Sequence, residues 1–104
     1  MGEEVPMNDE KVILLAEAVM IAEYRETVLA AAKANLPFTL AEPGCEAFFQ
    51  TVKADEPNKI IFFEVFASEE AHASHLAQEY TKKFFASIEG CFTAPPNFTR
   101  LKQV

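Results

Sequence analysis

Ile60 to His75 reads IIFFEVFASEEAHASH, and this stretch decides the fold. Its first seven residues are apolar and β-prone except for Glu64, the pattern of a buried strand. Ser68 then offers a side-chain oxygen as an N-cap, and Glu69 and Glu70 suit the positive end of a helix. That helix carries His72 and His75. A carboxylate in an otherwise apolar strand is costly to bury without a partner or a purpose. Glu64 and the histidines are therefore the first candidates for chemistry.

Before this stretch, Cys45 to Lys53 (CEAFFQTVK) mixes aromatic and β-branched residues and predicts a second strand. Ala54 to Lys59 is the polar hairpin loop that makes the two strands antiparallel. Glu42-Pro43-Gly44 is a turn. Upstream of it, Tyr24, Val28, Ala31 or Ala32, and Leu36 fall near helical spacing, and Pro37 is expected to kink or end that helix. Lys11 to Met20 (KVILLAEAVM) lacks alternation, so Val12 to Met20 reads as a strand covered on both faces.

Beyond the opening stretch, Ser68 to about Ile88 is helical in one or two pieces, and Gly90 stops it. Pro95-Pro96 keeps the chain extended ahead of a last short strand, Asn97 to Lys102. The order β-α-β-β-α-β is the ferredoxin-like α+β arrangement, an antiparallel sheet with helices on one face. Residues 1–10 read as a flexible acidic tail and 11–104 as a single domain.

Half of the 104 residues are hydrophobic and ten are Phe, a heavy load that calls for a lined cavity or a shared interface. Because the apolar strands exceed what helices on one face can cover, a homodimer through the sheet face is expected. The balance of 9 basic against 16 acidic residues, net charge −7, argues against nucleic acid and anionic membrane as partners. The N-terminus MGEEVPMNDEK lacks the basic-then-apolar pattern of a signal peptide, and no apolar run is long enough to span a bilayer. A cytoplasmic protein is the expectation. Cys45 and Cys91 have no neighbouring His or basic residue to activate a thiolate, so they read as small buried or half-buried thiols.

His75 is the sharpest candidate: an imidazole titrating near neutrality can serve as a general base. The bland alternative is a surface or capping histidine. In a straight helix Leu76, Tyr80, Phe84 and Ile88 would form the buried stripe, and His75 would lie off it. Glu64 shares a strand face with Ile60, Phe62 and Phe66, where it either orients a histidine or simply pairs with a cation or amide. Phe49, Phe62, Phe66, Tyr80 and Phe85 suit the lining of a cavity for a flat aromatic ligand, although core packing explains any one of them. His72, His75 and Glu79 have spacing that would place them on one helix face, but such sets arise by chance on solvated helices, and no metal site is assigned.

Three stretches together resemble the antibiotic biosynthesis monooxygenase family of dimeric α+β barrels. They are the AEPGC turn (Ala41 to Cys45), the strand and helix IIFFEVFASEEAHASHL (Ile60 to Leu76), and KKFF (Lys82 to Phe85) before a Pro-containing loop. The resemblance implies a small oxygenase that needs no cofactor, with Glu64 at the family's strand carboxylate and His75 at its helix histidine. It also implies a helix break near Ala77 to Glu79 that turns His75 inward. Phe66 stands where many members have Trp, and Tyr80 where a second His often occurs. Ala18 occupies the position of an Asn found in haem-degrading relatives, which argues against haem degradation. The leading expectation is a monooxygenase acting on a small aromatic, quinol-like compound, with His75 as base and Glu64 as orienting group. An isomerase using the same pair on a carbonyl compound, and a non-enzymatic ligand-binding dimer, remain alternatives.

Overall fold

The computed structural model describes residues 10–104, so the expected N-terminal tail lies, but for Glu10, outside the described residues. Four strands, β1 (Val12–Val19), β2 (Cys45–Lys53), β3 (Glu56–Phe66) and β4 (Asn97–Leu101), form one antiparallel sheet in the order β2-β3-β1-β4. Helices α1 (Arg25–Leu40), α2 (Glu69–Ala77) and α3 (Glu79–Ser87) complete the ferredoxin-like fold expected from the sequence. A single 3₁₀ turn, Ala22–Tyr24, leads into α1.

The apolar runs dictate the centre of the sheet. β1 and β3 pair along their full apolar length, from Val12 opposite Phe66 to Val19 opposite Lys59. Met20, Val28, Ile60, Ile88 and Cys91 form the main buried cluster between this pair and the helices. Alternation sends Phe62 to the helix side and Phe63 to the other. That second face carries Phe49, 59% exposed, against Phe63 at a ring distance of 6.4 Å.

Two local expectations are corrected. Pro37 does not end α1, which continues to Leu40, with the Ala41 N–H bonding to the Pro37 carbonyl. The missing proline N–H falls in the last turn and strands only the carbonyl of Lys33, an exposed residue whose carbonyl water can satisfy. The hairpin loop is also shorter than Ala54 to Lys59. Lys53 pairs with Glu56, leaving a turn at Ala54-Asp55, and a register shift lies between Val52 and Lys53. Pro57 sits inside that irregularity, where it forfeits no ladder bond on the β2 side. Its carbonyl accepts from Arg25 Nε at 3.1 Å, tying the hairpin to the start of α1.

Candidate active site

Local signals place His75. Ser68 caps α2 as its sequence suggests, its hydroxyl accepting from the Ala71 N–H at 3.1 Å. The chain then breaks at Gln78, whose backbone is extended (φ −66°, ψ 141°). Its carbonyl accepts the N–H groups of Thr81 and Lys82 and so begins a new helix, α3, in another direction. The break leaves His75 5% exposed and Leu76 44% exposed, the reverse of a straight helix.

The partner of His75 is Glu42. Its carboxylate Oε2 lies 2.9 Å from His75 Nδ1 and also accepts a hydrogen bond from the Tyr80 hydroxyl. A carboxylate only accepts, so Nδ1 carries the proton and Nε2 is left as the basic nitrogen. Burial, reinforced by the hydrogen bond to Glu42, pushes the Tyr80 phenol well above its ordinary range, so it remains a donor at neutral pH. Glu42 owes its position to the turn. Gly44 lets that turn lie flat on α2, because a Cβ there would come within 2.4 Å of the Ala71 Cβ. The Gly44 carbonyl in turn accepts from the Ala67 N–H at 2.8 Å.

His75 borders a cavity of about 820 Å³ between the sheet and the helices. Its walls are aromatic: Phe62 stacks with Phe84 at 6.5 Å, and Phe48 meets Phe62 edge-on at 5.6 Å. Glu64 enters from the middle of the sheet, opposite Leu14 on β1 and Phe48 on β2, and is 7% exposed. Burial alone pushes its carboxyl up to about 7, so near neutrality it is an acid and a base in comparable amounts. Cys45, between the two carboxylates in charge terms, has its thiol raised by burial and then by Glu42 and Glu64, which keeps it protonated.

The residues singled out from sequence divide in two. His75, Glu64, Phe62 and Phe85 border the cavity together. Three expected lining residues lie elsewhere. Phe49 points to the opposite sheet face, because strand alternation gives the cavity side to Phe48 and Gln50. Phe66 is fully buried beneath the histidines, with ring distances of 4.9 Å to His75 and 5.3 Å to His72. Tyr80 spends its hydroxyl on Glu42 and reaches His75 only through that carboxylate. The carboxylate hydrogen-bonded to His75 is Glu42 rather than Glu64, and the sequence presented it only as part of a turn. The helix break separates Glu79 from His72 and His75, and no three His, Cys, Asp or Glu side chains converge as a metal set among the described residues.

The family model for antibiotic biosynthesis monooxygenase matches residues 12–87, spanning both carboxylates, His75 and all three helices. The chain belongs to this family. Among solved structures the same fold recurs in a candidate antibiotic biosynthesis monooxygenase from Nitrosomonas europaea, with TM-score 0.86 at 15% identity, covering 96% of each chain. Rv0793 from Mycobacterium tuberculosis is similar at TM-score 0.85 and 23% identity, over 90% of this chain and 95% of that one. SO0527 from Shewanella oneidensis gives 0.82 and 22%, over 94% and 95%. No curated protein matches the sequence. At these identities the likeness carries the fold, and the chemistry must be read from the residues. No helix among the described residues is long and apolar enough to cross a membrane.

Proposed function

We propose that this chain is a cofactor-independent monooxygenase of small aromatic, quinol-like substrates. The observation that carries the reading is His75 held by Glu42 at the wall of an aromatic cavity, with its second nitrogen left basic. His75 takes a hydroxyl proton from the bound hydroquinone, and Glu42 stabilises the imidazolium that results. The electron-rich anion then attacks dioxygen at a ring carbon, forming a carbon-bound peroxide. Breaking its O–O bond leaves one oxygen on the ring and releases the other as water. A hydroquinone thereby becomes a hydroxyquinone, its four electrons reducing one dioxygen. Glu64, poised between acid and carboxylate, moves the second proton between substrate and leaving oxygen. The Phe62 and Phe85 side chains border the space for the ring, while Phe66 and Tyr80 support the base from behind.

The uncovered sheet face, with Phe49 and Leu101 exposed, supports a homodimer through that face. Removing that apolar surface from water would also steady the strand that carries Glu64.

Oxygen uptake with a panel of hydroquinones, compared with His75→Ala, tests the reading. The variant is expected to lose about 10²- to 10⁴-fold in rate. Equal rates would remove His75 from the mechanism, and turnover without oxygen uptake would point to proton transfer alone.

A further inference from the structure

Arg100 is the sole lysine or arginine bordering the cavity among the described residues. It comes from β4, where Arg100 and Phe98 pair with Leu14 and Ala16 of β1. Those two β1 residues line the cavity, so alternation raises Arg100 and Phe98 on the same side, at the rim. The guanidinium is engaged by Glu69 through two parallel bonds, Nη1 to Oε2 at 2.9 Å and Nη2 to Oε1 at 3.2 Å. This is the fork geometry that suits a planar carboxylate.

The internal occupant is easily exchanged. The side chains of Arg100 and Glu69 are 52% and 58% exposed, and a pair so open to water is held only weakly. Beside them His72 also borders the cavity, half-buried against Phe66. Burial, and then the charge of Arg100, lower its pKa, so it stands neutral with a ring N–H to donate. The other charged side chains around the cavity are the carboxyls Glu17, Glu64 and Glu89. In a chain of net charge −7, this corner is where an anion meets attraction.

We propose that Arg100 and His72 bind the anionic group of the ligand, so that the cavity takes an aromatic acid whose carboxylate displaces Glu69 from the Arg100 fork. The ring of such a ligand lies over Leu14, Ala16 and Phe62, and the carboxylate fixes which way round it sits before His75 and Glu64. The proposal rests on the cavity being the aromatic substrate site.

Binding of 1-naphthoate and its neutral isostere 1-naphthamide to the full chain tests it by calorimetry. The wild type is expected to bind naphthoate at least about tenfold more tightly, corresponding to about 1.4 kcal/mol. Arg100→Gln abolishes that preference, Arg100→Lys keeps only part of it, and Glu69→Gln tightens naphthoate without affecting the amide. The His72 pKa, followed by NMR, rises on binding naphthoate and not on binding naphthamide. Equal affinities for acid and amide, or a preference that survives Arg100→Gln, would overturn the proposal while leaving the aromatic site standing. Failure of both compounds to bind the wild type would overturn the aromatic site and the proposal with it.

Discussion

Replacing Glu64 with Gln should make the protein more stable, and by an amount that depends on pH. In the unfolded chain this carboxyl titrates near 4.5, whereas in the fold burial holds it at about 7. Below 4.5 both states keep the proton. Between 4.5 and 7 the unfolded chain releases it first, so this group's contribution to stability falls as pH rises. Above 7 the loss is complete, and the displacement corresponds to about 3 kcal/mol. Glutamine fills nearly the same volume and never ionises, so Glu64→Gln escapes the loss. Urea unfolding of both proteins at pH 4.5, 6, 7 and 8.5 reads the difference directly, with every other titrating group cancelling between them. The stability gap should widen by about 3 kcal/mol across the series, a shift in Tm of about 10–20 °C for a domain of this size. A gap constant with pH would show that Glu64 ionises freely in the fold, and its role as a poised acid would fall.

Gly44→Ala should destabilise by about 1–3 kcal/mol, because the added methyl collides with Ala71, and should also weaken turnover by moving Glu42 away from His75. Thermal unfolding and a rate assay on the same preparation check both effects. Glu42→Gln keeps the shape but removes the charge beside the imidazolium, so the rate should fall at least about tenfold while the affinity for a non-reacting quinone is unchanged. Phe49→Glu places a charge on the exposed sheet face and should turn the expected dimer into a monomer in sedimentation, with a monomeric wild type contradicting that expectation.

The fold was legible because its signals are local and repeated. Ile60 to Phe66 could hardly be anything but a buried strand, Ser68 capped the helix its sequence announced, and the element order left one common topology. The exceptions were prolines. Pro37 read as a kink or an end and Pro57 as part of a loop, yet each sits where the N–H it lacks would have met no essential partner: the last turn of α1 and an irregular start to β3. The site was only half legible. Period-two alternation correctly separated Phe62 from Phe63, and the break at Gln78 was suggested by resemblance although the helical pattern opposed it. Glu42 was hidden because its neighbours Pro43 and Gly44 explained the segment fully as a turn. Only the packing of that turn against α2, 33 residues from Glu42 to His75 along the chain, shows why a carboxylate stands there. Arg100 was equally silent, an ordinary charge on a short exposed strand until the register placed it at the cavity rim.

The central claim is that His75, held by Glu42, removes a proton from a bound aromatic hydroxyl. Anaerobic ultraviolet difference spectra of a naphthohydroquinone bound at pH 7, to wild type and to His75→Ala, test it before oxygen enters. The wild type should show the red-shifted band of the bound anion, and His75→Ala should bind the same compound with the spectrum of the neutral form. An anion band of equal strength in both proteins, or in neither when both bind, would contradict the account.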